Sequence, residues 1–225
     1  MKNNISAESE SVSPKQAITD PKFRYLLFGL LAGMTLGTLN GAAQIAFYGQ
    51  PILEKMLVDP SPWLSVNNIM NYLLIMSPIA QFSGMTAIQV FKRRRPLIIT
   101  YAFMMAGLNF LLVFFDIIST NLGIMLAVCS MAFIGNSIGS PILGLFATEV
   151  SNSAIMGIGA VFSSLVMLIV GFVIPFMVLY IDIPYLFLIF GVLCTIHGIF
   201  NIIFIKETAF LTDKEKKTLY FPSKI

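Results

Sequence analysis

The chain has 225 residues, of which 57% are hydrophobic without counting glycine and only 11% are charged. Soluble domains average about 45–50% apolar residues with glycine included and about 25% charged, so the composition excludes an ordinary water-soluble domain. The net charge of +3 does not indicate a nucleic-acid binder, because the basic residues flank apolar segments and form no separate basic domain.

Residues 1–20 are polar, with no apolar run of the kind a cleavable secretory signal needs, and read as a disordered tail. A membrane helix needs about 20 largely apolar residues to cross a hydrocarbon core about 30 Å thick. Between residues 21 and 205, six stretches meet that length: Tyr25–Tyr48, Val66–Phe91, Leu97–Phe115, Leu122–Phe146, Ile155–Tyr180 and Ile183–Ile205. Residues 206–225 form a charged tail. The predicted fold class is an all-α membrane protein, a six-helix transmembrane bundle with the lipid bilayer as its first partner. Cytoplasmic loops retain Lys and Arg. With the N-terminus inside, thirteen of the fourteen basic residues fall on the inner side and only Lys55 on the outer, which places both termini in the cytoplasm.

In the first span Gly29, Gly33, Gly37 and Gly41 recur every four residues, within what reads as one uninterrupted apolar helix. Small residues at that spacing let a neighbouring backbone approach closely in lipid, which makes them a helix-packing face. Asn40 and Gln44 lie beside them. Uncharged amides at membrane depth face other helices or a water-filled cavity, since lipid cannot satisfy their hydrogen bonds. Interhelical bonding explains them, and so does a site for a polyhydroxylated solute, which needs groups that both donate and accept. With Thr38 in the first span and Ser137 and Ser140 in the fourth, they form the candidate solute-binding set.

Asn67, Asn71 and Gln81 add polar groups to the second span and Asn109 to the third. In the sixth, His197 and Asn201 share a face. A proton relay pairs histidine with an intramembrane carboxylate, and none stands well inside a span, so His197 reads as a structural residue. Pro78, Pro141 and Pro175 predict bends. Cys129 and Cys194 lie inside apolar runs and read as packing residues, with no metal-binding spacing. Phosphate-loop, zinc-protease and serine-hydrolase motifs are absent, so neither an enzyme nor a cofactor or metal is expected.

The order of loops and punctuation resembles the C-terminal half of a sugar-porter-type member of the major facilitator superfamily. In FKRRRPLII, Arg94, Arg95, Pro96 and Leu97 match the family's GRRPL loop. In SPILGLFATEV, Pro141 and Glu149 match the spacing of the GPxPW…E stretch. IVGFVIP is similar to LVGFxxP at Gly171 and Pro175, and IKETAFLTDKEKKTLY is similar to the PETKG segment at Glu207 and Thr208. The resemblance covers residues 21–222. It implies a 3+3 inverted repeat, transport of a small polar solute such as a sugar, and an inward gate in which Glu149 faces Arg94 or Arg95. The chain departs from the family where QQ-x-x-G-x-N would contact sugar: it reads Gly37, Thr38, Leu39, Asn40, Gly41, Ala42 and Ala43. The tryptophan of the PW pair falls at Gly144, and an Asn-Trp pair falls at Met167 and Leu168.

In this superfamily two six-helix halves enclose the substrate at the bilayer midplane. One half has one wall, so transport by facilitated diffusion would require a homodimer or a partner half. Two functions stay open at this point. One is a transporter-like protein for a small polar solute. The other is a truncated, non-transporting membrane protein that acts as an interaction partner or regulator, or is a gene fragment.

Overall fold

The first membrane crossing is made by two helices. In the computed structural model, which describes residues 13–220, α2 (Pro21–Thr38) stops at Leu39–Gly41 and α3 (Ala42–Met56) continues the crossing. The single uninterrupted helix expected over Tyr25–Tyr48 is therefore corrected to a broken one. Gly41 holds φ at +84°, a left-handed conformation that ends the helical ladder and that side-chain-bearing residues rarely adopt. Lipid offers no partner for the groups so released, so the protein supplies them, as the next subsection shows.

Four crossings are continuous helices after that: α4 (Val66–Val90), α5 (Arg94–Ile117) and, later, α8 (Ser153–Tyr180) and α9 (Ile183–Phe204). The fourth crossing is again composite: α6 (Asn121–Ile134), a wider π-helical segment over Gly135–Gly139, and α7 (Ser140–Val150). Pro141 explains the widening. Its ring has no N–H to give the carbonyl four residues back and pushes it outward, and that carbonyl belongs to Ser137. The sixth crossing is α9 (Ile183–Phe204). All six are long and apolar enough to cross a membrane, and the chain is a multi-pass integral membrane protein.

Packing pairs crossings of the first three with crossings of the last three. The third and sixth crossings share the most extensive interface, α5 on α9. Phe103 and Phe110 of α5 fill the space that side chains would take at Gly198 and Gly191 of α9, a seven-residue spacing on both helices that keeps one seam in register. The first and fourth crossings meet at their irregular segments, where a Cβ built on Gly135 would lie 3.2 Å from that of Ala42. The second packs on the fourth, α4 against α6 and the π segment. The fifth packs on the first, α8 against α2 and α3. The architecture is all-α, with six crossings and no strand among the described residues.

The N-terminal tail differs in part from the expected one. Of residues 1–20, those before Ser13 lie outside the described residues, while α1 (Pro14–Thr19) is a helical turn with a complete capping box between Ser13 and Gln16 and with Ala17 fully buried. Ser-x-x-Gln satisfies two otherwise unpaired N–H groups at a helix start, which is why this polar stretch orders. After α9, α10 (Asp213–Thr218) starts on a second capping box, Thr212 with Glu215. The hydrogen bonds from the Thr212 side chain and backbone hold the exposed Glu215 carboxyl below its usual range.

Candidate functional site: a broken helix facing a widened one

Asn40 organises the break. Its Nδ2 donates to the Gly37 carbonyl (2.9 Å) and the Tyr101 hydroxyl (2.8 Å), while its Oδ1 accepts from the N–H groups of Ala42 (2.9 Å) and Ala43 (3.4 Å). A side-chain amide has two donors and a two-acceptor oxygen, so Asn40 has no hydrogen-bonding capacity left in this conformation. Two further amides complete the repair. Asn109 of α5, fully buried, donates to the Asn40 carbonyl (3.0 Å), and Gln44 donates to the Thr38 carbonyl (3.3 Å). The Thr38 hydroxyl donates back to Thr35 (2.7 Å).

The widened segment lies against the same place. Gly139 receives the Tyr101 ring, so Tyr101 touches the break through its hydroxyl and the π segment through its ring. On the other flank the Ser137 carbonyl displaced by Pro141 occupies the position that a Cβ would take at Gly84 of α4. Three buried polar atoms at this level have no protein partner: Gln44 Oε1, Asn109 Oδ1 and Ser137 Oγ. The Ser140 side chain lies outside the described residues. Of the predicted solute set, then, Thr38 and Asn40 are engaged internally, and Gln44 and Ser137 each keep a free polar atom.

The predicted packing face divides. Gly29, Gly33 and Gly37 of α2 face Phe204, Phe200 and His197 of α9, tightly at Gly29 and at ordinary contact distance at Gly33. Gly41 instead belongs to the break, where a Cβ would meet Asn109 and Met131.

At the end that carries both termini, Arg94 and Glu149 come together (3.6 Å), with both side chains mostly shielded from solvent. Arg95 does not reach Glu149; it donates to the Ile202 carbonyl at the end of α9 (2.9 Å). Sequence reasoning missed the remaining members of this cluster. The Thr208 hydroxyl donates to Glu149 (2.6 Å), Lys216 approaches it at 3.9 Å, and Glu207 accepts from the N–H groups of Arg94, Thr208 and Ala209, each at 3.0 Å. Tyr220 locks the tail: its hydroxyl accepts from Lys206 N–H (2.8 Å) and donates to the Phe204 carbonyl (3.0 Å), while its ring stacks on Phe204 at 5.0 Å. Burial pushes its phenol up to about 12, so it stays protonated and in place at neutral pH. The signal available in the sequence was the alternation of acidic and basic residues after Ile205, which also suits a solvated tail.

Removing the Glu149 carboxylate strips Arg94, Thr208 and Lys216 of their shared acceptor. Glu149→Ala is expected to weaken the docking of residues 205–220 by about 2 kcal/mol, a roughly thirtyfold rise in the opening equilibrium. Hydrogen exchange at the Lys206 amide checks this, and exchange equal to that of the unaltered protein would show that the tail is held without Glu149.

The irregular first and fourth crossings, the third-on-sixth packing and the charged end cluster together describe a half-bundle of the kind the sequence resembles. The family model for sugar (and other) transporters matches residues 1–220. The chain belongs to the sugar transporter family. No curated protein matches it. As a member of that family it is a major facilitator protein of the membrane, from a family of transporters rather than enzymes, with small solutes as the class of substrate.

Proposed function

We propose that this sugar-transporter half-bundle moves a small polar solute, a sugar before other classes, by facilitated diffusion, with its second wall supplied by another copy or a partner half. The observation that carries the reading is the pairing of the break at Asn40–Gly41 with the π segment at Gly135–Gly139, beside the unpartnered Gln44 Oε1 and Ser137 Oγ. Discontinuous helices at membrane depth are tolerated where they line a cavity or are buried in protein, and free donors and acceptors beside them suit hydroxyl groups. Thr38, Asn40 and Ser140 remain in the proposed site, with Asn40 available to a solute once the break rearranges.

The need for a second wall is supported by α4 and α8, the least buried of the crossings. Asn71 and Gln81 of α4 are exposed, although Gln81 sits well inside the span, where lipid would leave its amide unsatisfied. The acidic residues of the crossing helices, Glu54, Asp116 and Glu149, all stand in end turns, which favours uncoupled diffusion over proton coupling. Residues 21–205 form the transmembrane domain between two cytoplasmic tails, an orientation that rests on the bias of Lys and Arg toward the termini side. Arg94, Arg95 and Glu149 belong to the cytoplasmic gate, Arg94 through the ion pair.

Uptake of radiolabelled hexose into proteoliposomes tests the reading. The expected result is uptake faster than in empty vesicles and unchanged by a pH gradient. Uptake at the empty-vesicle rate by protein shown to be a folded oligomer would overturn it. The consumption of Asn40 and Thr38 by internal bonds favours a second reading, a non-transporting interaction partner. Crosslinking in native membranes separates the two, since that reading requires a stable heteromeric partner without transport.

A further inference from the structure

Toward the termini end, a cleft opens between α2, α7 and α9, with an empty volume of about 290 Å³ counting its mouth. Gly29, Gly33 and Met34 line one side, Phe146 another and Phe200 a third, and Asn201 is the polar side chain among its lining residues. Asn201 is fully buried, and both its Oδ1 and its Nδ2 lack a protein partner. An orphaned amide at membrane depth is costly, so the chemistry that would relieve it is well defined: one acceptor for the Nδ2 hydrogens and one donor for Oδ1.

A water alone fits poorly. Bound waters need two to four polar partners, and among the residues lining the cleft only Asn201 offers polar side-chain atoms, since His197 Nε2, also unpartnered one turn before it, is not in the lining. A hydroxyl on an aliphatic chain fits better, because the amide can donate to it and accept from it while glycine, methionine and phenylalanine surround the chain. The enclosed part of the cleft takes a group about the size of one water, which suits a hydroxyl head with a slender chain leading out through the mouth. We propose that Asn201 and the α2 glycines form a binding site for the hydroxyl end of a linear aliphatic alcohol, separate from the broken-helix site.

The experiment uses the full chain in phosphatidylcholine nanodiscs, with a medium-chain alkanol bearing a diazirine as the probe and peptide mass spectrometry after photolysis. Adducts are expected on Met34, Phe146 or Phe200. Asn201→Leu removes two orphaned polar atoms, so the protein stays folded while labelling falls about tenfold, the size expected for one buried hydrogen bond. Gly33→Ala is an independent arm: its Cβ would lie 3.5 Å from Phe200, an ordinary contact, yet it takes up space in the cleft. It too is expected to lower labelling. Protection by unlabelled octanol would identify a dissolved alcohol as the occupant, and protection by diacylglycerol a lipid source. Labelling that is undiminished in both variants, or adducts confined to the lipid-facing surface, would overturn the proposal.

Discussion

Gly84→Ala is expected to leave little folded protein. The new methyl group would run into the backbone carbonyl of Ser137 rather than a movable side chain. That carbonyl cannot withdraw into a regular helix, because Pro141 four residues on supplies no N–H and holds it outward. Relief therefore requires α4 to move off the fourth crossing, at a cost of about 3 kcal/mol or more, the upper end of what overpacking costs. Gly107→Ala and Gly157→Ala are the matched controls. A Cβ at either meets nothing within 4 Å, so both gain helix propensity, at most about 1 kcal/mol, and are expected to equal or exceed the unaltered protein. Yield of monodisperse protein in detergent, followed by unfolding in mixed micelles, reads all three. If Gly84→Ala melts like Gly107→Ala, α4 does not pack on the π segment as described.

The same contact marks the limit of what the residues disclose on their own. Six crossings were legible because a long apolar run in lipid has one economical backbone, the helix, and all six appear with boundaries shifted by a few residues, apart from the first, which runs on past Pro51 to Met56. The break inside that crossing was not read, although Asn40-Gly41 is a turn-forming pair in any aqueous segment. The apolar context argued for continuity, and the amide that makes discontinuity affordable, Asn109, lies 69 residues away in another helix. The widened segment had Pro141 as its signal, but whether a proline bends, widens or breaks a membrane helix depends on what receives the freed carbonyl, and Gly84 is likewise remote in sequence. For the site, the polar residues were legible as candidates, yet their division into engaged groups and free ones depends on tertiary partners. Glu149 was matched with Arg94 or Arg95 through the family pattern, and only the fold shows that Arg94 is the partner. Thr208, Lys216 and Tyr220 joined them only through the folded tail.

Asn40→Ala is the sharper probe of that discontinuity. Four groups lose their partner at once: the Gly37 carbonyl, the Tyr101 hydroxyl and the N–H groups of Ala42 and Ala43. Each buried polar group left unpaired costs about 1–3 kcal/mol. Some of the four will recover a partner by relaxation or from water, so a net loss on the order of 4 kcal/mol is expected. Tyr101→Phe removes only the hydroxyl and leaves the remaining bonds of Asn40 in place, so its cost is expected to stay near 1 kcal/mol. Gly41→Ala attacks the same feature through the backbone, at φ +84° and against Asn109. Because it shares the break with Asn40, the double variant is expected to lose less than the two single losses together. Unfolding in mixed micelles measures all of these. A strictly additive double variant, or an Asn40→Ala protein that melts with Tyr101→Phe, would mean that the discontinuity is held by its surroundings and not by the amide. If the expected pattern appears, residues 39–41 are a hinge fixed by one side chain, and any solute that competes for the Asn40 amide acts directly on the shape of the first crossing.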